Sequence, residues 1–188
     1  MNLNIPYMET DNKLLNDAYR IAAGDIVGNI VYYQNGLLTE EKPCMIAGLD
    51  YNTPWTRDTA INIWNALSIL SPEVSKNTLL AVLEEEEGNI YISGQYWDSI
   101  IWMIGAREYC RFHKDDNFYR LAFEAGRNSV HRLEEDEFDE EDGLFRGPAV
   151  YGDGIAAYPD KYSKCPNQGS GILEWVDYPG NPVYPKGY

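Results

Sequence analysis

Cations are scarce in this chain. Across 188 residues, 15 lysines and arginines stand against 30 aspartates and glutamates, a formal charge of -15. Sequence-independent nucleic-acid binding draws on clustered Lys and Arg, so it is excluded as an expectation, and a neutral ligand is favoured over a polyanionic one. Cysteine is scarce too: Cys44, Cys110 and Cys165 lie far apart, with no CxxC pair and an odd count. A zinc site or a disulfide framework is therefore not expected, and the thiols read as free and partly buried. Long apolar runs are absent. The longest, around Ile100 to Ile104, is far short of the ~20 residues that a membrane helix needs. The opening segment MNLNIPYMETDNKLLNDAYR has no basic stretch followed by an apolar one, so no secretory signal is read. A cytoplasmic protein without a membrane partner is the expectation.

What is abundant is aromatic surface, with 15 tyrosines and 5 tryptophans, many of them in loops or at the starts of helices. Aromatic faces stack on the apolar faces of sugar rings, and phenol and indole edges add hydrogen bonds. The same residues are also good packing material, and composition alone favours packing.

Apolar spacing predicts a helix over residues 10–23, with Gly24 placed to end it. Residues 25–54, where β-favouring Ile26, Val27, Ile30, Val31 and Tyr32 are followed by Gly and Pro, read as a long connection holding one or two short strands. Asp58 is expected to cap a helix running through TAINIWNALSIL. Ser71 and Pro72 close that helix and open the next, EVSKNTLLAVLEEEE, which should end near Gly88. A loop, NIYISGQY, leads to a third helix from Trp97 to about Phe112, and a fourth runs from Asp116 to about Leu133. Beyond Glu134 the periodicity fades into a proline- and glycine-rich segment. The expected class is all-α, as stacked helical hairpins with their loops on one face.

Three constellations could carry chemistry. Trp55-Thr56-Arg57-Asp58-Thr59 offers a donor and an acceptor to vicinal hydroxyls, although Asp58 could equally be a helix cap and Trp55 a packing residue. Gly94-Gln95-Tyr96-Trp97-Asp98-Ser99 repeats the aromatic-plus-acid theme at the next loop-to-helix junction, where Asp98 could again be a cap. The acidic run Glu134 to Asp142 invites a calcium loop. With Gly143 at the sixth position, however, Phe138 and Ala149 would fill the first and last ligand positions, and neither can ligate. A solvated helix end is the better reading. Asp153, set between Gly152 and Gly154, could be closely approached and partly desolvated, which raises a carboxyl pKa.

Together these segments resemble the (α/α)6, or six-hairpin, glycosidases. Trp55-Thr56-Arg57-Asp58-Thr59 is similar to their W-x-R-D signature. Asp142-Gly143-Leu144-Phe145 through Asp153-Gly154-Ile155-Ala156-Ala157-Tyr158-Pro159 looks like the general-acid loop of the processing α-glucosidase group, glycoside hydrolase family 63. The resemblance covers roughly residues 45–160. It implies a partial (α/α)6 toroid of about two helical hairpins plus one helix, with hairpins over 1–133 and a general-acid segment over 134–188. It implies Asp153 as general acid, Arg57 and Asp58 holding the terminal sugar, and Trp55, Tyr96, Trp97 and Asp98 as walls of the subsite. No cofactor and no metal is implied, and the partner is an oligosaccharide. Three departures stand beside it: glycine follows the acid, the N-terminal β-domain is missing, and no general base is recognised, Glu174 beside Trp175 being the candidate considered. The expectation is therefore the front half of an inverting α-glycosidase. The alternative is a non-catalytic fragment that binds sugar or oligomerises, its open edge covered by a second copy or by a complementary chain.

Overall fold

The computed structural model describes residues 5–48, 51–94 and 97–145, together with the backbone of 147–148 and 186–187. It is mainly helical, and its chain divides into two compact units, Met1–His131 and Arg132–Tyr188.

Helix α1 (Lys13–Gly28) starts at Asn12, whose side-chain oxygen accepts the N–H groups of Leu14 and Leu15. It does not stop at Gly24. An added Cβ there would meet nothing within 4 Å, so the glycine lies on an open helix face and costs only its propensity. The helix ends at Asn29 instead, absorbing the Ile26 and Val27 expected in a strand. Strand β1 (Ile30–Tyr33) then pairs antiparallel with β2 (Lys42–Met45), Val31 opposite Cys44.

Helix α2 (Thr56–Asn62) continues through a π-helical turn (Ile63–Leu67) into α3 (Ser68–Leu70), making one rod. Its cap position is Trp55 rather than Asp58. Asp58 sits in the first turn, where a carboxylate is favoured by the helix dipole. Pro72 opens α4 (Pro72–Ala81) at the first helical position, as expected, although the Ser71 side chain makes no capping bond.

The four glutamates after α4 are not helical. Leu83–Glu86 (β3) and Asn89–Ile92 (β4) form an antiparallel hairpin whose turn residues Glu87 and Gly88 both have positive φ, 51° and 80°. Positive φ at both central residues is what a two-residue type I′ turn requires. The pairing places Glu84 opposite Tyr91 and Glu85 opposite Ile90, whereas a helix would stack the like charges within one turn.

Helix α5 (Asp98–Phe112) matches its expected span to within a residue, and α6 (Asp116–Glu137) starts where expected and runs on through the acidic end. Within the first unit these elements form two consecutive hairpins, α2/α4 and α5/α6. Helices α2 and α5 run parallel, because Arg57 meets Asp98, Ala60 meets Gly105, and the His113 ring lies 2.6 Å from the Ser68 carbonyl. Gly105 makes that crossing: a Cβ there would lie 2.7 Å from the Ala60 Cα. Helix α4 runs the other way, its Leu79 carbonyl accepting the Trp102 indole N–H at 3.3 Å and its Lys76 reaching Asp115 at 2.6 Å. The core between the hairpins centres on Ile63, Leu67, Leu79, Leu83, Trp102 and Phe118.

In the second unit, β5 (Phe138–Asp139) pairs with β6 (Leu144–Phe145), and β7 (Gly147–Pro148) pairs with β8 (Lys186–Gly187). Asp139 accepts the N–H groups of Glu141 and Asp142 and so folds the acidic run into a turn. Among the described residues, no helix is long and apolar enough to cross a membrane, and no group of His, Cys, Asp and Glu is arranged to hold a metal ion.

Candidate functional site

Parallel packing of α2 and α5 brings the two loop-to-helix junctions to the same end of the helix layer. The approach to α2 is fixed from below. Tyr33 on β1 shares a 2.8 Å hydrogen bond with Thr53, and Tyr51 packs edge-on against Trp55, with ring centroids 6.2 Å apart and planes at 81°. The approach to α5 comes off β4, where the Ser93 N–H donates to the Val82 carbonyl at 2.9 Å.

The junctions lock together at Thr56. Its hydroxyl, on the first residue of α2, donates to the Ser93 carbonyl at 2.9 Å. Gly94 follows with φ 118°, a conformation that side-chain-bearing residues avoid. An added Cβ at that position would sit 2.8 Å from an Asp98 carboxylate oxygen and 2.9 Å from the Thr56 hydroxyl. Backbone, hydroxyl and carboxylate thus share a space that only glycine leaves open.

Asp98 is the first residue of α5, with Trp97 in the cap position. Its side chain is 4% exposed and faces the Nε of Arg57 across 3.7 Å, while the Arg57 side chain is 44% exposed. A carboxylate held out of water at a helix N-terminus orients the half-exposed guanidinium beside it, so that Arg57 is the donor of this pair that solvent reaches. Trp97 is 41% exposed at the same junction. The Trp55 Nε1 and the Thr59 hydroxyl are buried and lack a hydrogen-bond partner among the described residues.

Of the residues singled out from sequence, Arg57 and Asp98 are therefore brought together, with Trp55 and Trp97 in the two cap positions. Asp58 is exposed on the first turn of α2. Tyr96 and Asp153 lie outside the described residues, as does the general-acid segment from residue 149 to 185. Gly94 and Thr56 fell inside the segments singled out from sequence, but no role was read for either. The available signal was a glycine placed between a strand and a Trp-Asp helix start, which marks a close backbone approach.

No protein-family model, curated protein or solved structure matches this chain.

Proposed function

We propose that this chain is part of an (α/α)6-type inverting α-glycosidase and that the joined starts of α2 and α5 hold a terminal sugar. The observation that carries the reading is the Arg57–Asp98 pair, 3.7 Å apart across two parallel helices with the Asp98 side chain 4% exposed. The stacking of hairpins with parallel first helices supports it too, since it gathers the Trp-Asp loops at one end.

In this reading Arg57, oriented by the buried Asp98, donates to a sugar hydroxyl, while Trp97 stacks on the ring. Asp58 and Trp55 line the α2 side and Tyr96 the α5 side. Asp153 protonates the leaving glycosidic oxygen, and a second, ionised carboxylate takes a proton from the attacking water. The two carboxyl groups of such a pair stand roughly 6.5–9.5 Å apart. That base is not assigned among these residues, so binding is the activity to test first.

Titration of the full chain with glucose and maltose, followed by tryptophan fluorescence and by saturation-transfer NMR, tests the reading. A saturable response that Arg57→Ala abolishes is expected. No response up to high millimolar sugar would overturn it.

A further inference from the structure

Helix α1 is the least embedded element of the first unit. None of its 16 residues is buried, and Leu14, Leu15 and Ile21 are 78%, 49% and 65% exposed. Leu14, Ala18 and Ile21 follow the i, i+4, i+7 spacing of a helix that anchors in a groove, with Leu15 and Ala22 beside them. Other positions on the helix are occupied. Asn16 accepts the Thr10 N–H at 2.9 Å, the Tyr19 hydroxyl donates to the Pro6 carbonyl, and Ile26 packs on the core. The apolar stripe is thus turned outward by the contacts that hold the helix. A helix of this length owes most of its stability to burying an apolar face, and here that face buries nothing.

An independent feature answers it. Helices α5 and α6 enclose a groove of about 490 Å³ floored by Trp102, Met103, Gly126 and Val130. Tyr119 and Phe123 stand at its edge, 59% and 63% exposed. The groove also carries Arg107 and Arg127, and no carboxylate pairs with either among the described residues. On α1 itself acids and bases balance, and Asp17 is paired with both Lys13 and Arg20. The acids left to the stripe are Asp25 and, just ahead of the helix, Asp11, which continue the 14–18–21 spacing at its two ends and are opposite in sign to the groove's arginines. The chain's own α1 is held elsewhere, by Ile26 in the core and by Asn29, whose carbonyl accepts the Ile46 N–H at 2.9 Å.

We infer that α1 of one copy docks by its Leu14–Ala18–Ile21 stripe into the α5/α6 groove of a second copy of this chain. The contact is heterologous: in a pair, the copy that gives its helix keeps its groove open and the other keeps its helix, so assembly continues head to tail or closes into a ring. The inference is independent of the sugar-binding reading, because no residue of the Arg57–Asp98 junction takes part.

Sedimentation velocity of the full chain over a micromolar concentration series is the test, with circular dichroism to confirm that each variant folds. Wild type should gain mass with concentration. The groove variant Phe123→Glu and the helix variant Leu14→Glu/Ile21→Glu should each be monomeric, and both changes fall on exposed side chains. Mixed in equal amounts, the two variants should form a one-to-one dimer that grows no further, since one keeps an intact helix and the other an intact groove. A monomeric wild type would overturn the inference. So would assembly that survives Phe123→Glu, as expected if α1 pairs with α1, or a mixture that fails to pair.

Discussion

The guanidinium of Arg57 and the carboxylate of Asp98 face each other at 3.7 Å, yet the first side chain is 44% exposed and the second 4%. The two therefore answer differently to removal. Arg57→Ala deletes a half-solvated partner at more than hydrogen-bond distance, so the expected loss of stability is about 1 kcal/mol or less. Asp98→Ala removes a buried carboxylate at the junction of two helices, and about 1–3 kcal/mol is expected. Urea denaturation of both variants checks this, and equal losses would show that the pair acts mainly as a structural clamp.

Two glycine substitutions should move stability in opposite directions. Gly105→Ala places a Cβ 2.7 Å from the Cα and 2.9 Å from the carbonyl oxygen of Ala60. Backbone cannot yield as a flexible side chain can, so α2 and α5 must part, at an expected cost of about 1–3 kcal/mol. Gly24→Ala meets nothing within 4 Å inside a helix, and a gain of about 0.5–1 kcal/mol is expected. Thermal melts of the two variants decide it; a destabilised Gly24→Ala would mean that α1 needs its glycine for a contact on that face.

That pair also marks where the sequence was legible and where it was not. Helix α5 could be read almost to the residue because Asp98 through Phe112 combines apolar periodicity with clear flanking loops. The α1 terminus could not, because a glycine on an open helix face looks the same in sequence as one that ends a helix. Glutamates 84–86 were misread because their local helix preference is overridden by cross-strand pairing with residues 89–91. Arg57 and Asp98 were recognisable as candidates separately. Their proximity was not, since it depends on Gly105 admitting Ala60 and on the backbone turn at Gly94. The unsatisfied faces of α1 and of the α5/α6 groove belong to the same class: exposure of an apolar stripe is a property of packing, not of periodicity.

Acid should weaken the junction of α4 with the α5/α6 hairpin. Asp115 precedes α6, accepts the Phe118 N–H at 3.0 Å and pairs with Lys76 at 2.6 Å. The hydrogen bond from Lys76, and then that from Phe118, hold its carboxyl below the ordinary value of 3.8. A carboxyl whose folded pKa is depressed contributes stability that is full above the unfolded value and fades as pH falls through the folded one. The contribution should therefore be complete at neutral pH and lost below about pH 4. Asp115→Asn retains a capping oxygen but not the charge, so its stability should fall less steeply than wild type between pH 5 and pH 2, values set roughly by ordinary carboxylate titration. Denaturant midpoints across that range check the slope, and parallel curves would remove Asp115 from the account.

Cysteine chemistry gives a reporter of unfolding that needs no ligand. Cys44 on β2 is 0% exposed and sits with Leu38 and Ala81 in a small apolar cluster. Burial pushes its thiol up to about 12, against a smaller downward pull from the Thr78 hydroxyl. The thiolate is the reactive form, so native Cys44 is both inaccessible and protonated at neutral pH. Cys110 lies in the α5/α6 groove, is only partly buried, and is also raised, mainly by burial. Alkylation with iodoacetamide followed by peptide mass spectrometry should therefore modify Cys44 at a rate that follows global unfolding and rises steeply in urea, with Cys110 reacting before Cys44 in the native protein. If α1 of another copy fills the groove, Cys110 should in addition react more slowly as protein concentration rises, while Cys44 does not. Labelling of native Cys44 at the rate of a free thiol would mean that the β1–β2 hairpin opens without the rest of the unit.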